Sequence, residues 1–508
     1  MTATRRAYLV RKSLESVRAD AASTGLRRSL GPIQLVLIGI GCIIGAGVYV
    51  MTGTAAANYA GPAVVLSFAI AGMACELTGL CYAELSSVLP VSGASYTYAY
   101  AALGEVFAWA LGWMLMLEFG LAGSALAVGF AGYLQSLLGD FGAHLPAAIA
   151  TPLVRGDITP TGMHFSAGPS LNLVALASLA LVCVILIRGV AHSAAVNTLL
   201  VVIKLGVLIG FVVVGLGHVD ARNWTPFIPA NEGGFRYGVP GVLRAASILF
   251  FAYLGFESVA TAASEARDPQ RDIPVGILGA LIVSTLIYAA VATVMTGLIP
   301  FRALNVPDPI AVAVSAIGIP VVALIIKVGA LTGLGSVLLV NSYGQSRICF
   351  AMANDGLLPR GFAAIHPRFM TPVFGTIAVT GVSGVAAALL PITLLADLVS
   401  IGTAFVFIVV AISVMWLRST HPDLPRPFRV PLGGIWVKGF WIGVLPTLAL
   451  LFCLLMMGPV LLDILGKAID GEWIPMAILV GYILLGAVIY MGFGRRHSRA
   501  AAALLKTA

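Results

Sequence analysis

Charge is what this chain has least of. Only 10% of its 508 residues are Asp, Glu, Lys or Arg, against roughly a quarter in an ordinary soluble domain. With 59% apolar residues and a mean hydropathy of +1.01, that scarcity excludes a water-soluble globular particle and requires a bilayer as solvent for the outer surface. The six cysteines (Cys42, Cys75, Cys81, Cys183, Cys349 and Cys453) all fall inside apolar runs. They read as small packing residues, and neither zinc spacing nor a redox pair is present. The sequence also lacks a convincing nucleophile–base pair, a phosphate-binding loop and any extramembrane stretch long enough for a catalytic domain, which argues against an enzyme. His192 stands alone at a loop as an ordinary polar residue. A channel would need a continuous polar pore, and only a few separated polar positions interrupt the apolar runs.

What the chain does have is apolar runs of membrane length. A helix needs about 20 apolar residues to cross roughly 30 Å of hydrocarbon. Twelve such runs are centred on residues 32–56, 63–89, 106–137, 171–188, 194–216, 241–263, 274–299, 319–346, 373–393, 395–417, 437–461 and 474–493. An even number puts both tails on one side. That side collects 21 basic residues, whereas the other collects six (Arg155, Arg222, Arg236, Arg244, Arg302 and Lys467), and Lys204 and Lys327 remain inside runs. The positive-inside rule then places both termini in the cytoplasm of a cell-membrane protein. The net charge of +8 is accounted for by orientation, and nucleic acid is not expected as a partner. The basic N-terminal tail precedes an apolar run of about 25 residues, longer than a secretory signal core, so no cleavage is expected. The fold class is an all-α membrane protein. Its expected organisation is a tail at 1–30, five helices over 31–216, five more over 217–417, two over 418–493 and a tail at 494–508. The Gly-, Pro- and Ala-rich 139–170 stretch reads as a connector, and the proline-spaced segment between runs ten and eleven as a rigid one.

Two runs are interrupted in matching places. Run one contains Gly39, Gly41, Gly45 and Gly47, followed by Thr52, Gly53 and Thr54. Small residues also serve close helix packing, but four glycines this close favour local unwinding, since each costs roughly 1 kcal/mol relative to alanine in a helix. Run six, FFAYLGFESVATAASE, is broken at Tyr253, Gly255 and Glu257. Breaks in the first and sixth runs point to two five-helix halves related by inverted repeat, with the binding site where the broken helices meet. A broken helix offers unpaired amides and a positive dipole end on one side and unpaired carbonyls on the other. That pairing suits a zwitterion: a carboxylate on the amides around Gly45, Ala46 and Gly47, and an ammonium on carbonyls around Ile43, Phe251, Ala252 and Leu254. The expected substrate is an α-amino acid or close relative.

The segments GIGCIIGAGVYV, YAELSSVLPVSGASYTYAY, GWMLMLEFG, FFAYLGFESVATAASEARDPQRDIPVGI, SRICFAMANDGLLPRGFAAIHPRFMTP and HPDLPRPFRVP together resemble the amino acid–polyamine–organocation transporters, and within them bacterial members of the cationic amino acid transporter family. The resemblance implies a five-plus-five inverted repeat of the leucine-transporter type, two additional C-terminal helices, alternating access and proton-linked transport of amino acids. Ala46 departs from the family pattern, where a hydroxyl residue is common. Backbone amides would still hold the carboxylate, so the departure bears on affinity and preference and not on the site itself.

The ionisable residues within the runs are few. Lys204 lies about ten residues into run five, roughly 15 Å at 1.5 Å per residue, and so near the midplane. It either snorkels towards a surface or faces a cavity on an ion pathway. The resemblance implies that a lysine here stands in for a sodium ion and is protonated in turn, bonding to run-one carbonyls and to run eight near Ser336. Glu118, mid-run three, is either a structural hydrogen-bond acceptor or a residue facing substrate or Lys204. With Asn341 on run eight it would permit a cationic side chain without requiring one. Phe251 and Tyr253 either gate the site or pack against neighbouring helices. Glu257 is a gate or a helix-stabilising acid, Glu84 is structural, and Lys327 is given no role. The function expected is secondary active amino acid transport by proton symport, with cationic amino acids among the possible substrates. Exchange of one amino acid or amine for another stands beside it as an alternative, and a channel or nutrient receptor is less favoured. No cofactor is expected beyond the coupling proton, and a small membrane subunit stays open.

Overall fold

The computed structural model describes residues 29–91, 93–159, 162–189 and 194–499, and His192 lies outside them. Each of the twelve apolar runs is helical over most of its length. The helices are α1 (Pro32–Ile43), α2 (Thr52–Ala55, between π-helical turns Gly47–Met51 and Ala56–Ala60), α3 (Val64–Val88), α4 (Ala94–Ala102), α5 (Glu105–Asp140), α6 (Leu173–Ile187) and α7 (Ala194–Leu216). They continue with α8 (Gly238–Leu249), α9 (Glu257–Thr261), α10 (Pro269–Leu298), α11 (Pro320–Asn354), α12 (Val373–Leu389), α13 (Ile392–Thr420), α14 (Val444–Ile469) and α15 (Ile474–Ile489). Among the described residues, nine helical segments are long and apolar enough to cross a membrane, and α1, α6 and α12 are shorter apolar helices. Proline opens α10 and α11, where its missing N–H costs nothing. Asn172 caps α6 by accepting the Ala175 N–H at 3.0 Å.

Packing sorts most of these helices into two groups. In one, α10 lies against α1 and α3, and α3 lies against α8; in the other, α5 runs along α11, and α6 and α12 pack on each other and on α5. The α7 helix bridges the groups through α1, α10 and α11, and α13 lies between α5 and α14. The outward surface carries large apolar side chains in rows, such as Leu181, Val213, Leu286, Val382, Leu462 and Val488. Water would not tolerate that much exposed apolar surface, and hydrocarbon does.

One connector carries structure of its own, and two local expectations are corrected. The 139–170 connector holds an antiparallel hairpin, β1 (Val154–Thr159) with β2 (Gly162–Ala167). The eleventh helix begins at Val444 and not near 437, because Lys438 and Gly439 take positive φ (+50° and +81°) and turn the chain back. The apolar residues on either side form a second hairpin, β3 (Gly434–Val437) with β4 (Phe440–Gly443). Arg244, grouped with the loop cations, lies inside α8 and is fully buried. The 421–431 connector is held by more than its prolines. The Arg426 guanidinium donates to the carbonyls of Leu417, His421, Pro422 and Leu424 at 2.7–3.2 Å.

Candidate functional site

The glycine cluster of the first run breaks its helix. Helix α1 stops at Ile43, Ile44 is extended (φ −74°, ψ 98°), and the backbone ladder resumes where the Tyr49 N–H reaches the Gly45 carbonyl at 3.3 Å. The second break follows the 3-10 turn Phe250–Tyr253. Leu254 is extended there (ψ 140°), and Gly255 takes φ +110°, a conformation that strains any residue with a β-carbon. Glu257, in the first turn of α9, accepts the Gly255 N–H through Oε2 at 3.1 Å, a carboxylate at the positive end of a helix segment.

The two breaks touch. A β-carbon on Gly47 would lie 2.2 Å from that of Ala252, and one on Gly255 would lie 2.8 Å from that of Cys42. Only glycine lets the backbones cross so closely. Tyr288 of α10 ties them together, its hydroxyl shared between the carbonyls of Ile43 (2.9 Å) and Ala252 (3.0 Å). The buried Tyr133 hydroxyl of α5 donates to the Tyr49 carbonyl at 2.8 Å, fixing the second half of the broken helix from the opposite group.

A cavity of about 440 Å³, mouth included, opens at this crossing. Of the residues expected at the site, Ile43, Gly45, Ala46, Gly47, Phe251, Ala252, Leu254 and Asn341 line it. Tyr253 does not: its ring points away and its hydroxyl donates to the Phe68 carbonyl at 2.8 Å. Nor does Glu118, whose Oε1 accepts the Thr403 hydroxyl of α13 at 3.1 Å while Oε2 has no partner among the described residues. Asn341 uses its amide nitrogen on the Phe119 carbonyl at 2.5 Å. Cys42, Phe119, Ala122, Leu126, Gly255, Ser258, Val337 and Val340 complete the lining. Gly255 was singled out only as a break in run six, and sequence reasoning missed the other seven because a largely apolar helix does not show which stripe faces inward.

Lys204 of α7 is almost fully buried. Its ammonium donates to the carbonyls of Gly41 (2.5 Å) and Ile44 (3.2 Å), the two acceptors that bracket the end of α1. Ser336, expected beside it, bonds instead to the Gly333 carbonyl one turn back on its own helix, at 2.8 Å. A hydroxyl in an apolar helix finds that local acceptor first. Elsewhere, several buried charges meet an opposite charge. Arg244 reaches Asp397 of α13 (2.7 Å) and Asp463 of α14 (2.8 Å), and Lys467 joins Asp463 at 2.8 Å. Glu84 receives both Arg418 and the Val430 N–H. Lys327, given no role from sequence, pairs with Asp140 at 2.6 Å.

A small cavity, open at its mouth, where two broken helices cross and where backbone and mostly apolar side chains form the walls, has the build of a carrier site inside a helical membrane protein. The chain belongs to the amino acid permease family, whose model matches residues 30–488. It is 40% identical over 489 residues to the methylthioribose transporter of Bacillus subtilis (strain 168), covering 96% of this chain and 98% of that one. It is 38% identical over 493 residues to the branched-chain amino acid permease BcaP of the same organism, again covering 96% and 98%. Cationic amino acid transporter 4, vacuolar, of Arabidopsis thaliana is 36% identical over 415 residues, 81% of this chain and 67% of the plant protein.

Proposed function

We propose that this chain is a proton-coupled amino acid symporter working by alternating access through twelve membrane spans, with both termini in the cytoplasm. The carrying observation is the Lys204 ammonium on the Gly41 and Ile44 carbonyls. A protonated amine holds the end of α1 against α7 and shapes the break for substrate. A neutral amine has fewer protons to share and loosens it, so proton release can be linked to helix movement and substrate release. Grouped packing supports the inverted repeat: runs one, two, six and seven form one group and three, four, eight and nine the other, each pairing a member with its counterpart five runs on. The bundle would rock against the scaffold about the fixed site.

The substrate's carboxylate would sit on the amides at Gly45, Ala46 and Gly47. Its side chain would face Phe119, Ala122, Leu126, Val337 and Val340, an apolar wall that suits an aliphatic or thioether group. The names of two bacterial relatives point the same way. The second reading, a cationic side chain, rests on the free Oε2 of Glu118 and on the plant relatives. Purified protein in proteoliposomes should take up radiolabelled leucine or methionine faster with an inward proton gradient than without. Competition by valine, isoleucine and methionine, and weak competition by arginine, lysine and ornithine, is the expected pattern. The reverse order would overturn the apolar preference, and gradient-independent counterflow alone would favour exchange.

A further inference from the structure

The β3–β4 hairpin between α13 and α14 has no part in the carrier site. Its two strands differ sharply. Strand β4 is fastened to the end of α13: the Trp441 N–H donates to the Ser419 hydroxyl at 2.7 Å, the Arg418 guanidinium sits 4.0 Å above the Trp441 ring, and Phe440 meets Trp416. Strand β3, Gly-Ile-Trp-Val, is exposed at every position. Successive residues of a strand point to opposite faces, so Ile435 and Val437 on one face and Trp436 on the other are both uncovered, at 64%, 42% and 55% exposure, with Leu432 at the base 71% exposed. An apolar edge strand bare on both faces would be an aggregation site in water.

Position and charge indicate what covers it. Strand β4 runs without a break into α14, whose outward face begins with Val444 and continues through Leu448, Leu451 and Leu455, all exposed. The hairpin is thus continuous with a surface already assigned to lipid. Lys438 at its tip and Arg429 before its base are exposed cations. We propose that β3 lies in the interfacial layer of the bilayer, with Trp436 at the level of the headgroups and Lys438 and Arg429 on anionic lipid phosphates. Tryptophan and lysine are the residues that such a layer favours. The strand's open hydrogen-bonding edge would meet headgroups and their water, which satisfy it as hydrocarbon could not.

The chain has seven tryptophans, so the signal of Trp436 is read as the difference between the wild type and Trp436→Phe, both in nanodiscs of mixed phosphatidylcholine and phosphatidylglycerol. The difference spectrum should be blue-shifted, shielded from acrylamide, and should lose about half its intensity or more to lipids brominated near the headgroup end of the acyl chain. Replacing the anionic lipid by phosphatidylcholine should weaken that quenching, and Lys438→Glu with Arg429→Glu should weaken it equally in the anionic discs. A red-shifted signal open to acrylamide would place the strand in water and overturn the proposal. Shielding without lipid quenching, together with cross-linking between copies through Trp436→Cys, would overturn it in favour of a second copy of the chain.

Discussion

At the scale of single residues, distances decide which changes matter. A methyl group on Gly47 would lie 2.2 Å from the Ala252 β-carbon, with backbone behind it. Gly47→Ala should therefore abolish uptake even where membrane insertion, followed by fluorescence size-exclusion, survives. Gly206 on α7 has nothing within 4 Å of its missing β-carbon. Gly206→Ala should leave uptake unchanged and stabilise the helix by about 0.5–1 kcal/mol, seen as a small rise in Tm; a loss of uptake would show that this face is covered. Asp308 lies in the connector between α10 and α11, where burial holds its carboxyl above the ordinary value of 3.8 against a Ser136 hydrogen bond and the nearby Lys327. The folded chain then keeps this proton more tightly than the unfolded chain, so its contribution to stability is present at low pH and lost as pH rises above 3.8. Asp308→Asn should flatten the dependence of Tm on pH over that interval, and parallel curves for variant and wild type would contradict the assignment. The depth of Lys204 in its run left two readings, a snorkelling cation or one facing the interior, and the structure has it buried on the Gly41 and Ile44 carbonyls. Its partners and those of Ser336, Tyr253 and Glu118 were not legible in the sequence. Each depends on how a helix is rotated about its axis, which near-uniform apolar composition does not encode.

Among the elements, the two broken helices were read correctly from glycine clustering and polar interruption, but the part that joins them was not. Tyr288 is one tyrosine in an apolar helix, and only the folded arrangement brings its hydroxyl to Ile43 and Ala252 at once. Tyr288→Phe removes the one hydroxyl proton shared by both carbonyls, worth about 1 kcal/mol, and frees the breaks to separate. Raised KM with near-normal protein yield is expected in uptake assays, and an unchanged KM would mean the tie is dispensable. The α8, α13 and α14 helices are joined by Arg244, Asp397 and Asp463 inside the protein. Arg244→Met leaves Asp397 buried without a cation, a loss of about 3–5 kcal/mol, while Asp463 keeps Lys467. Adding Asp397→Asn should recover much of the lost Tm, and no recovery would show that packing, not charge, carries the loss. The hairpin before α14 escaped the reading because Phe440, Trp441 and Ile442 extend an apolar run. The reversal rests on two positive φ angles at Lys438 and Gly439, which hydropathy does not register.

For the whole molecule, a carrier needs two rigid parts and a site between them that senses its driving ion. In the function proposed, the packing groups would be the parts and the crossing of the broken helices the site, with Lys204 connecting α7 to the end of α1. The proposed coupling requires that the proton on Lys204 drive accumulation. It is tested most directly by measuring, in the same proteoliposomes, proton-gradient-driven accumulation and gradient-free counterflow of one labelled amino acid for the wild type and Lys204→Ala. Lys204→Ala should keep counterflow, showing an intact site, and lose accumulation above equilibrium. A variant that still concentrates substrate against its gradient when protons flow inward would contradict it.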